Sequence, residues 1–386
     1  MFWKYTQFET KLLWHNRKNL FIALFLLLFY FIFFIYYNQG EQLTLKQQKY
    51  EEQGIMNATF EYVDYLRDEV PKVEEVYQLL TEQSSLINYQ VFYLGVGDDQ
   101  AQYIENGLEL NQLRLKVHEL GNEGIPNHLI KPKDEILKEN AILHYIKKHQ
   151  LPIEDDSFAT NDFFVKAQQA MSGLLLLVVA LIAGSELLIY EQRHQSVVKG
   201  FPLPFMKKVN QKVAVHFVHV YSLLIVGFFI GTIYAASTLQ ASNFSFPVLI
   251  YVNESYIAVS TLQYLLYVFL GFAIVLTLLL YVSVLLNMLF RNAFANLLVG
   301  LGIFFLPDLL TATGISPKIL APIKYMDIAK VLSGELAIQF GNSTIDYWHA
   351  ITWLGGLLIL VVSIIYGMNR WTYHRQPKDM PLEKAF

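Results

Sequence analysis

Few residues of this chain have the type and spacing that chemistry requires. His216 and His219 lie one helical turn apart in an apolar stretch, where two imidazoles could relay protons. Such a pair more often packs against a neighbouring helix. Asp308 follows Pro307 at the end of another apolar stretch, and an acid at membrane depth is a functional candidate. We favour the simpler interpretation, in which Asp308 extends its carboxylate toward water.

Metal binding and catalysis by this chain have little support. His118, His128, His144 and His149 lie in one polar segment, but their spacing follows no metal-ligand motif and the chain has no cysteine. Solvated histidines are the preferred interpretation. The chain also lacks the GxxxxGK(S/T), HExxH, GxSxG and EF-hand patterns. We therefore expect no enzyme activity, no metal and no cofactor in this chain.

Long apolar runs predict a membrane protein. Apolar residues make up 54% of the chain and charged residues 16%, against about a quarter charged in soluble domains. A helix needs about 20 apolar residues to cross a bilayer. Such runs predict six spans, near residues 20–37, 169–190, 213–236, 262–287, 294–312 and 351–368. The expected fold class is an all-α polytopic membrane protein, with six transmembrane helices and a mostly helical extracytoplasmic domain.

The distribution of Lys and Arg predicts the orientation. Four short segments on one side of the spans hold 14 Lys and Arg in 65 residues: 1–19, 191–212, 288–293 and 369–386. The two short segments on the other side, 237–261 and 313–350, hold 3 in 63. Basic residues accumulate on the cytoplasmic side. Both termini are therefore expected in the cytoplasm, with the protein in a plasma membrane, and the lack of cysteine is compatible with a bacterial surface.

The domain organisation follows from the spans. Residues 1–18 carry aromatic side chains at helical spacing together with lysines, which predicts an amphipathic helix in the cytoplasmic interface. Residues 19–37 form the first span, 38–168 the extracytoplasmic domain, and 169–386 a region of five further spans. Helical patterns predominate between residues 38 and 168, with a weak strand signal near Tyr89–Val96.

Two segments of the five-span region do not cross the membrane in this reading. Segment 313–350 is apolar but broken by prolines, so we expect a re-entrant or interfacial helical pair. Residues 186–212, called here the 186–212 loop, hold five of the 29 basic residues. Pro202 and Pro204 prevent one continuous helix, because proline lacks the N–H and clashes with the preceding turn. We expect a short helix, a sharp corner and a second helix there.

This arrangement resembles the permease subunits of type-2 ABC exporters. That family has an interfacial first helix, six spans, a coupling loop between spans two and three, and broken helices before span six. Positions that match the family's loop motif are Glu191, Arg193, Ser196, Val197, Val198, Leu203, Pro204, Lys207, Lys208 and Lys212. His194, Gln195 and Lys199 depart from it. The resemblance covers residues 1–37 and 169–386.

The resemblance implies partners and a coupling loop, residues 191–212. A separate cytoplasmic ATPase, which binds ATP and Mg²⁺, would drive the chain, and a second permease subunit, identical or related, would complete the pore. The implied ATPase-coupling residues are Glu191, Arg193, Lys199, Phe201, Pro202, Leu203 and Pro204. The alternative is a non-transporting membrane sensor whose outer domain binds an extracellular ligand. Six spans favour transport, and no nucleic-acid partner is expected.

Charge suggests a substrate class. Residues 38–168 contain 23 acidic and 12 basic residues, and such a surface attracts cations. Aromatic residues lie among the acids and could contact apolar side chains: Tyr62, Tyr65, Tyr77, Tyr89, Phe92 and Tyr93. A cationic amphipathic peptide, or another hydrophobic compound, is the substrate we expect to move outward. In the alternative interpretation, the acids only keep the domain soluble.

Overall fold

The chain forms two compact units. The computed structural model describes residues 2–40, 44–66, 71–95, 99–153, 159–193, 201–238, 244–315 and 320–375. The membrane unit comprises Met1–Phe34, Ala167–Tyr234 and Tyr267–Phe386. The extramembrane unit comprises Ile35–Lys166 and Ala235–Leu266. Each unit is described by itself below.

Almost all regular structure is helical. In chain order the elements are α1 (Phe2–His15), α2 (Arg17–Asn38), α3 (Leu45–Leu66), α4 (Pro71–Gly95), α5 (Gln100–Glu119), a 3-10 turn (Asn127–Leu129), α6 (Lys133–His149), α7 (Ala159–Met171), α8 (Leu174–Gly184), α9 (Ile189–Arg193), α10 (Phe205–Thr238), β1 (Pro247–Val252), β2 (Ser255–Ser260), α11 (Thr261–Phe290), α12 (Ala293–Ala312), α13 (Ala321–Lys324), α14 (Ile328–Leu332), α15 (Glu335–Phe340) and α16 (Tyr347–Arg375). Short helices α13 to α15 occupy the segment for which a broken helical pair was expected.

The chain is an all-α polytopic membrane protein, as predicted. Among the described residues, six apolar segments are long enough to cross a membrane: Arg17–Asn38, Leu174–Glu191, Phe205–Thr238, Thr261–Phe290, Ala293–Ala312 and Tyr347–Trp371. The third begins at Phe205, eight residues before the predicted start, because α10 continues into polar sequence and begins only after Pro204. The number of apolar segments and their approximate positions thus agree with the six spans predicted from the sequence.

The predicted second span, near residues 169–190, is broken close to its start, and the observed apolar segment begins only at Leu174. Helix α7 ends at Met171 and α8 begins at Leu174. Gly173, between them, has φ 63°, and a Cβ there would come within 2.5 Å of Asp327 Oδ2. Ser172 Oγ donates to Asp327 Oδ1 at 2.7 Å. Only glycine combines this backbone conformation with so close a carboxylate, so the segment before α14 fixes the break.

Two glycines bring α2 and α10 into backbone contact. Gly227 and Gly231 are one turn apart in α10, and Cβ atoms there would collide with Leu26 O and with Tyr30 Cβ of α2. Small residues four apart allow helices to approach closely inside a bilayer, where packing rather than the hydrophobic effect drives association. The Tyr30 ring also packs edge-on against Phe228 at 5.4 Å between centroids.

Gly227→Ala should separate α2 from α10 and lower the midpoint of thermal unfolding. Gly302→Ala in α12 is the matched control, because nothing lies within 4 Å of a Cβ built there. Replacing a helical glycine by alanine otherwise stabilises by about 0.5–1 kcal/mol. The two substitutions should therefore act in opposite directions in tryptophan-fluorescence melts. Equal effects would contradict the close contact.

The extramembrane unit is built on helices α3 to α6. One core cluster joins α3, α4 and α5 through residues such as Val63, Ile87 and Leu110, all fully buried. The predicted strand near Tyr89–Val96 is wrong, because residues up to Gly95 belong to α4. Buried positions in α4 continue at three- and four-residue intervals past Ile87 to Gln90, which is helical spacing.

A β-hairpin between α10 and α11 completes the extramembrane unit. Strands β1 and β2 pair antiparallel, with Val252 opposite Ser255. Asn253 and Glu254 form the two-residue turn and have φ values of 49° and 61°, as a type I′ turn requires. The hairpin packs on α6, where Lys138 Nζ lies 4.6 Å from the ring centroid of Tyr256. The sequence analysis did not predict this hairpin.

Five charged residues form a largely buried network between α3, α5, α6 and the segment before α6. Lys49 Nζ lies 2.8 Å from both Glu52 Oε2 and Glu139 Oε1. Arg114 Nη2 lies 2.6 Å from Glu52 Oε1, and Lys131 Nζ lies 2.6 Å from Glu139 Oε2. Burial alone would raise the pKa of Glu139, but the charges of Lys49 and Lys131 outweigh it and hold that pKa at about 2. The same balance, led by Lys49, lowers the pKa of Glu52 below its usual range.

Acidification should destabilise the extramembrane unit. A carboxyl group whose folded pKa is lowered contributes stability above its unfolded pKa, about 4.3, and loses it as pH falls through the folded value. The stability should therefore decline from about pH 4.5 toward pH 2. This decline can be measured by amide hydrogen exchange of α3, α5 and α6 in the intact protein, after correction for the pH dependence of the intrinsic exchange rate.

The variant Glu139→Gln distinguishes the contribution of this network to stability from other effects of low pH on the protein. The variant leaves buried Lys49 short of one carboxylate, so it should lose about 3–5 kcal/mol at neutral pH and show a weaker pH dependence. Glu105→Gln is the control, since Glu105 and its partner Lys147 are both more than half exposed. That change should cost less than about 1 kcal/mol. An equal loss in the two variants would contradict the role of the network.

Candidate functional site

The described parts of the 186–212 loop lie on both sides of its corner. Helix α9 ends at Arg193, and the chain is described again from Phe201, with α10 starting after Pro204. Lys199 and the Arg193 side chain lie outside the described residues. Leu203 N donates to Phe201 O at 2.7 Å, which closes a tight turn.

Helix α1 contacts this loop through a buried polar cluster, called here the Lys212 cluster: Tyr5, Glu9, Glu191 and Lys212. Lys212 Nζ lies 2.8 Å from Glu9 Oε1 and 3.5 Å from Glu191 Oε1. Tyr5 Oη donates to Glu191 Oε1 at 2.7 Å. Tyr5 is fully buried, and Glu9 and Lys212 are almost so. One lysine thus joins α1, α9 and α10.

The electrostatics of the Lys212 cluster keep Tyr5 protonated. Burial raises the pKa of the Tyr5 hydroxyl, and the nearby charges of Glu9 and Glu191 raise it further. The protonated hydroxyl can donate to Glu191, and this hydrogen bond gives the Glu191 carboxylate a second partner besides Lys212. Two acids share one ammonium group, so this donated hydrogen bond lowers the cost of burying the extra negative charge.

Aromatic rings hold the corner against α1. The ring of Phe201 packs against those of Tyr5 and Phe8, each at 5.4 Å between centroids. Pro202 and Pro204, in contrast, are exposed. Phe201 therefore anchors the described part of the corner on α1, while the two prolines are exposed.

A second set of contacts, apart from the Lys212 cluster, holds the start of the 186–212 loop. Lys18 Nζ lies 3.2 Å from Glu186 Oε2 and donates to Ser185 Oγ at 3.1 Å. Asn16 Nδ2 donates to Glu186 Oε2 at 2.9 Å. The residues around α1 therefore contact the loop near both of its ends.

Sequence reasoning placed the amphipathic helix but missed these contacts. Glu9 is the only acid in residues 1–18, and it lies one turn after Tyr5. The sequence did contain a signal for this contact, because a single acid in an otherwise basic helix could pair with a lysine of the 186–212 loop. The helix was expected to lie only in the interface, whereas Tyr5, Glu9 and Leu13 face protein, and Trp3 and Trp14 are more than half exposed.

The two intramembrane histidines contact different groups. His216 Nδ1 lies 3.0 Å from Lys212 O of its own helix. His219 packs edge-on against Trp14 at 5.3 Å between centroids, and its Nε2 has no hydrogen-bond partner among the described residues. A shared proton site has no support from these contacts, and each histidine is better described as a packing residue.

Asp308 forms an ion pair. Its carboxylate contacts the ammonium group of Lys324, which is almost fully buried in α13 and lies 4.3 Å from the ring centroid of Phe304. The Asp308 side chain is still 44% exposed, so the ion pair is compatible with the preferred sequence interpretation of a carboxylate that extends toward water. Asp308 neutralises a buried lysine and ties the end of α12 to α13.

No metal centre is evident in the described part of the chain. No group of three or more His, Cys, Asp or Glu side chains there could hold a metal ion. His118 Nε2 lies 2.9 Å from Lys131 O and its Nδ1 lies 3.2 Å from Asn122 Nδ2, which is a structural arrangement.

Comparison with known protein families, with curated proteins and with solved structures gives no match to this chain. The class that the fold itself defines is a multi-pass membrane protein with six apolar spans. The Lys212 cluster is a polar site that joins three helices of this protein.

A double-mutant cycle should detect the coupling between α1 and α10. Lys212→Met leaves two buried carboxylates without their cation, and Glu9→Gln removes one of them; each single change should cost about 3–5 kcal/mol. The double variant should cost less than the sum, by about 1–3 kcal/mol, because the groups contact each other. Lys207→Met, which removes an exposed lysine of the same helix, is the control and should be near neutral. Additive effects in tryptophan-fluorescence melts would contradict the coupling.

Proposed function

We propose that this protein is the membrane subunit of an ATP-driven exporter of the type-2 ABC class. Separate cytoplasmic ATPase subunits bind ATP and Mg²⁺, and a second permease subunit, identical or related, completes the translocation path. The observation that carries the proposal is the bracing of the 186–212 loop by α1, with Pro202 and Pro204 left exposed. A coupling element needs one face for its motor and a rigid attachment to the spans that it moves.

The Lys212 cluster supports this role because it joins both spans that flank the loop. Glu191 lies at the end of the second apolar segment and Lys212 near the start of α10. Their ion pair, 3.5 Å long, is buried and held by α1. A displacement of the exposed corner is therefore passed to two spans together, rather than absorbed by a flexible connection.

The proposed orientation places the 186–212 loop and both termini in the cytoplasm of a bacterial plasma membrane. The excess of Lys and Arg on that side supports it. The exposed rings of Trp3 and Trp14 on α1 suit the boundary between headgroups and acyl chains. The extramembrane unit then lies outside the cell.

Replacing Phe201–Pro204 with a Gly/Ser run tests the proposed coupling. The chain should still insert, because the apolar spans are unchanged. When the protein is reconstituted with the cytoplasmic ATPase that the proposal requires, ATP hydrolysis should no longer be coupled to transport. Phosphate release and transport in the same vesicles are the two measurements.

The control is the same replacement in the exposed turn 341–344, before α16. It should leave coupling intact. Normal coupling after the replacement at 201–204 would exclude this corner as the contact. An intact protein that neither binds an ATPase nor transports would instead favour a membrane sensor.

For the substrate, we propose a cationic amphipathic peptide. Tyr62 of α3 and Tyr89 and Phe92 of α4 are about half exposed. Exposed acids Glu51, Glu61 and Asp64 share α3 with the first of them. Of the other aromatic residues singled out in the sequence, Tyr77 and Tyr93 pack against the cores, and the Tyr65 side chain lies outside the described residues.

Binding of a basic amphipathic helix to the reconstituted protein tests the substrate class. Its affinity should fall as salt rises, because exposed charges are screened beyond about 10 Å at 0.1 M. Neutralising Glu51, Glu61 and Asp64 together should weaken binding several-fold. Neutralising the exposed acids of α5, Glu105, Glu109 and Glu119, is the matched control. Equal binding of neutral peptides would exclude the electrostatic basis while leaving the coupling proposal untouched.

A further inference from the structure

Three fully buried polar side chains lie around the close contact between Gly184 of α8 and Ser283 of α11. Ser283 and Asn287 lie one turn apart on α11, and Asn296 lies in the first turn of α12. Each has zero relative exposure. None of the three belongs to the Lys212 cluster or to the loop motif, and an apolar span does not need polar residues at these positions.

The main chain fixes the orientation of both amides. Asn287 Nδ2 donates to Gly184 O at 3.0 Å, and Asn296 Nδ2 donates to Ser283 O at 3.4 Å. A carbonyl oxygen only accepts, so exchanging the nitrogen and oxygen of either amide would set two acceptors against each other. The two Oδ1 atoms therefore keep their positions.

Three oxygen atoms remain without a partner. Ser283 Oγ, Asn287 Oδ1 and Asn296 Oδ1 make no hydrogen bond to any described residue. Leaving a buried acceptor unsatisfied costs about 1–3 kcal/mol, and three occur around a single turn of α11. The ammonium group of Lys18, which reaches Ser185 beside Gly184, is engaged by Glu186.

The surroundings favour a positive ligand. Gly184 ends α8, and Asn287 lies in the last turn of α11, so two helix C-termini contribute partial negative charge. The backbones of α8 and α11 are close, because a Cβ on Gly184 would come within 2.5 Å of both Ser283 Cβ and Oγ. Asn287 Oδ1 and Asn296 Oδ1 can only accept, so they favour a cation over an anion, although the first turn of α12 contributes partial positive charge.

The charge of the ligand follows from the donor set. Ca²⁺ and Mg²⁺ sites usually include carboxylates, whereas these three side chains are neutral. We propose that Ser283, Asn287 and Asn296 bind a monovalent alkali cation, sodium or potassium, which holds α8, α11 and α12 together. The inference concerns the membrane unit alone and does not depend on transport.

Thermal unfolding in matched salts tests the site. The intact protein in lipid nanodiscs is melted in sodium or potassium chloride, with N-methyl-D-glucamine chloride keeping the ionic strength constant. A ligand at free concentration c that binds only the folded state stabilises it by RT ln(1 + c/Kd), so the midpoint should rise with the concentration of alkali cation. Equal midpoints in all salts would overturn the proposal and leave bound water as the partner of these oxygens.

Ser283→Ala distinguishes a ligand from a structural role. Because Ser283 Oγ makes no hydrogen bond to a described residue, a structural role predicts an unchanged or higher midpoint in every salt. A cation site predicts that the variant loses the rise caused by alkali cation. Thr277→Val on the same helix is the control, since Thr277 Oγ1 donates to Ala273 O at 2.7 Å within α11. It should keep the rise.

Equilibrium binding of radioactive sodium to the unmodified protein provides a second measurement that needs no variant. Saturable binding, displaced by unlabelled sodium or potassium but not by N-methyl-D-glucamine, is expected. Full cation dependence in Ser283→Ala would place the cation elsewhere, and the absence of saturable sodium binding would also overturn the proposal.

Discussion

The ion pairs of Lys212 constrain much of the membrane unit. An ammonium group that is almost fully buried requires carboxylates beside it, since removing it from water costs several kcal/mol. Glu9 reaches it from α1 and Glu191 from α9. If helix α1 moved away from the loop, Glu9 would no longer pair with Lys212, and the buried ammonium group would lose one of its two carboxylates. The position of α1, the direction in which α10 starts, and the anchoring of Phe201 all depend on this one side chain.

The same requirement recurs at other buried charges among the described residues. Lys324 is matched by Asp308, and the network around Lys49 is matched by two glutamates. Asp327 and Ser172 partner each other across the break before α8. Lys49 and Glu139 are 90 positions apart in the sequence, and Ser172 and Asp327 are 155 apart, so buried polar partners help to define how distant helices meet.

Sequence reasoning succeeded where a signal is local. Apolar runs of about 20 residues predicted the six spans, and proline spacing located the corner of the 186–212 loop. It failed where the determinant lies in distant residues. The break at Gly173 depends on Asp327, more than 150 positions later, and the contact of Glu9 with Lys212 crosses 200 residues. The hairpin turn Asn253–Glu254 lacks the Asn-Gly signature, so its φ values had no strong local signal.

The hairpin gives the extramembrane unit an unusual order of assembly. Helix α6 ends at His149, but the strands that pack on it end at Ser260, after two further spans have been made. At about 5–20 residues per second, a ribosome needs roughly 5–20 s to cover that interval. During biogenesis, the face of α6 that later receives Tyr256 is thus without its partner. Nascent chains at this stage offer a window in which quality-control proteases and holding chaperones can compete for a helix that the mature protein covers.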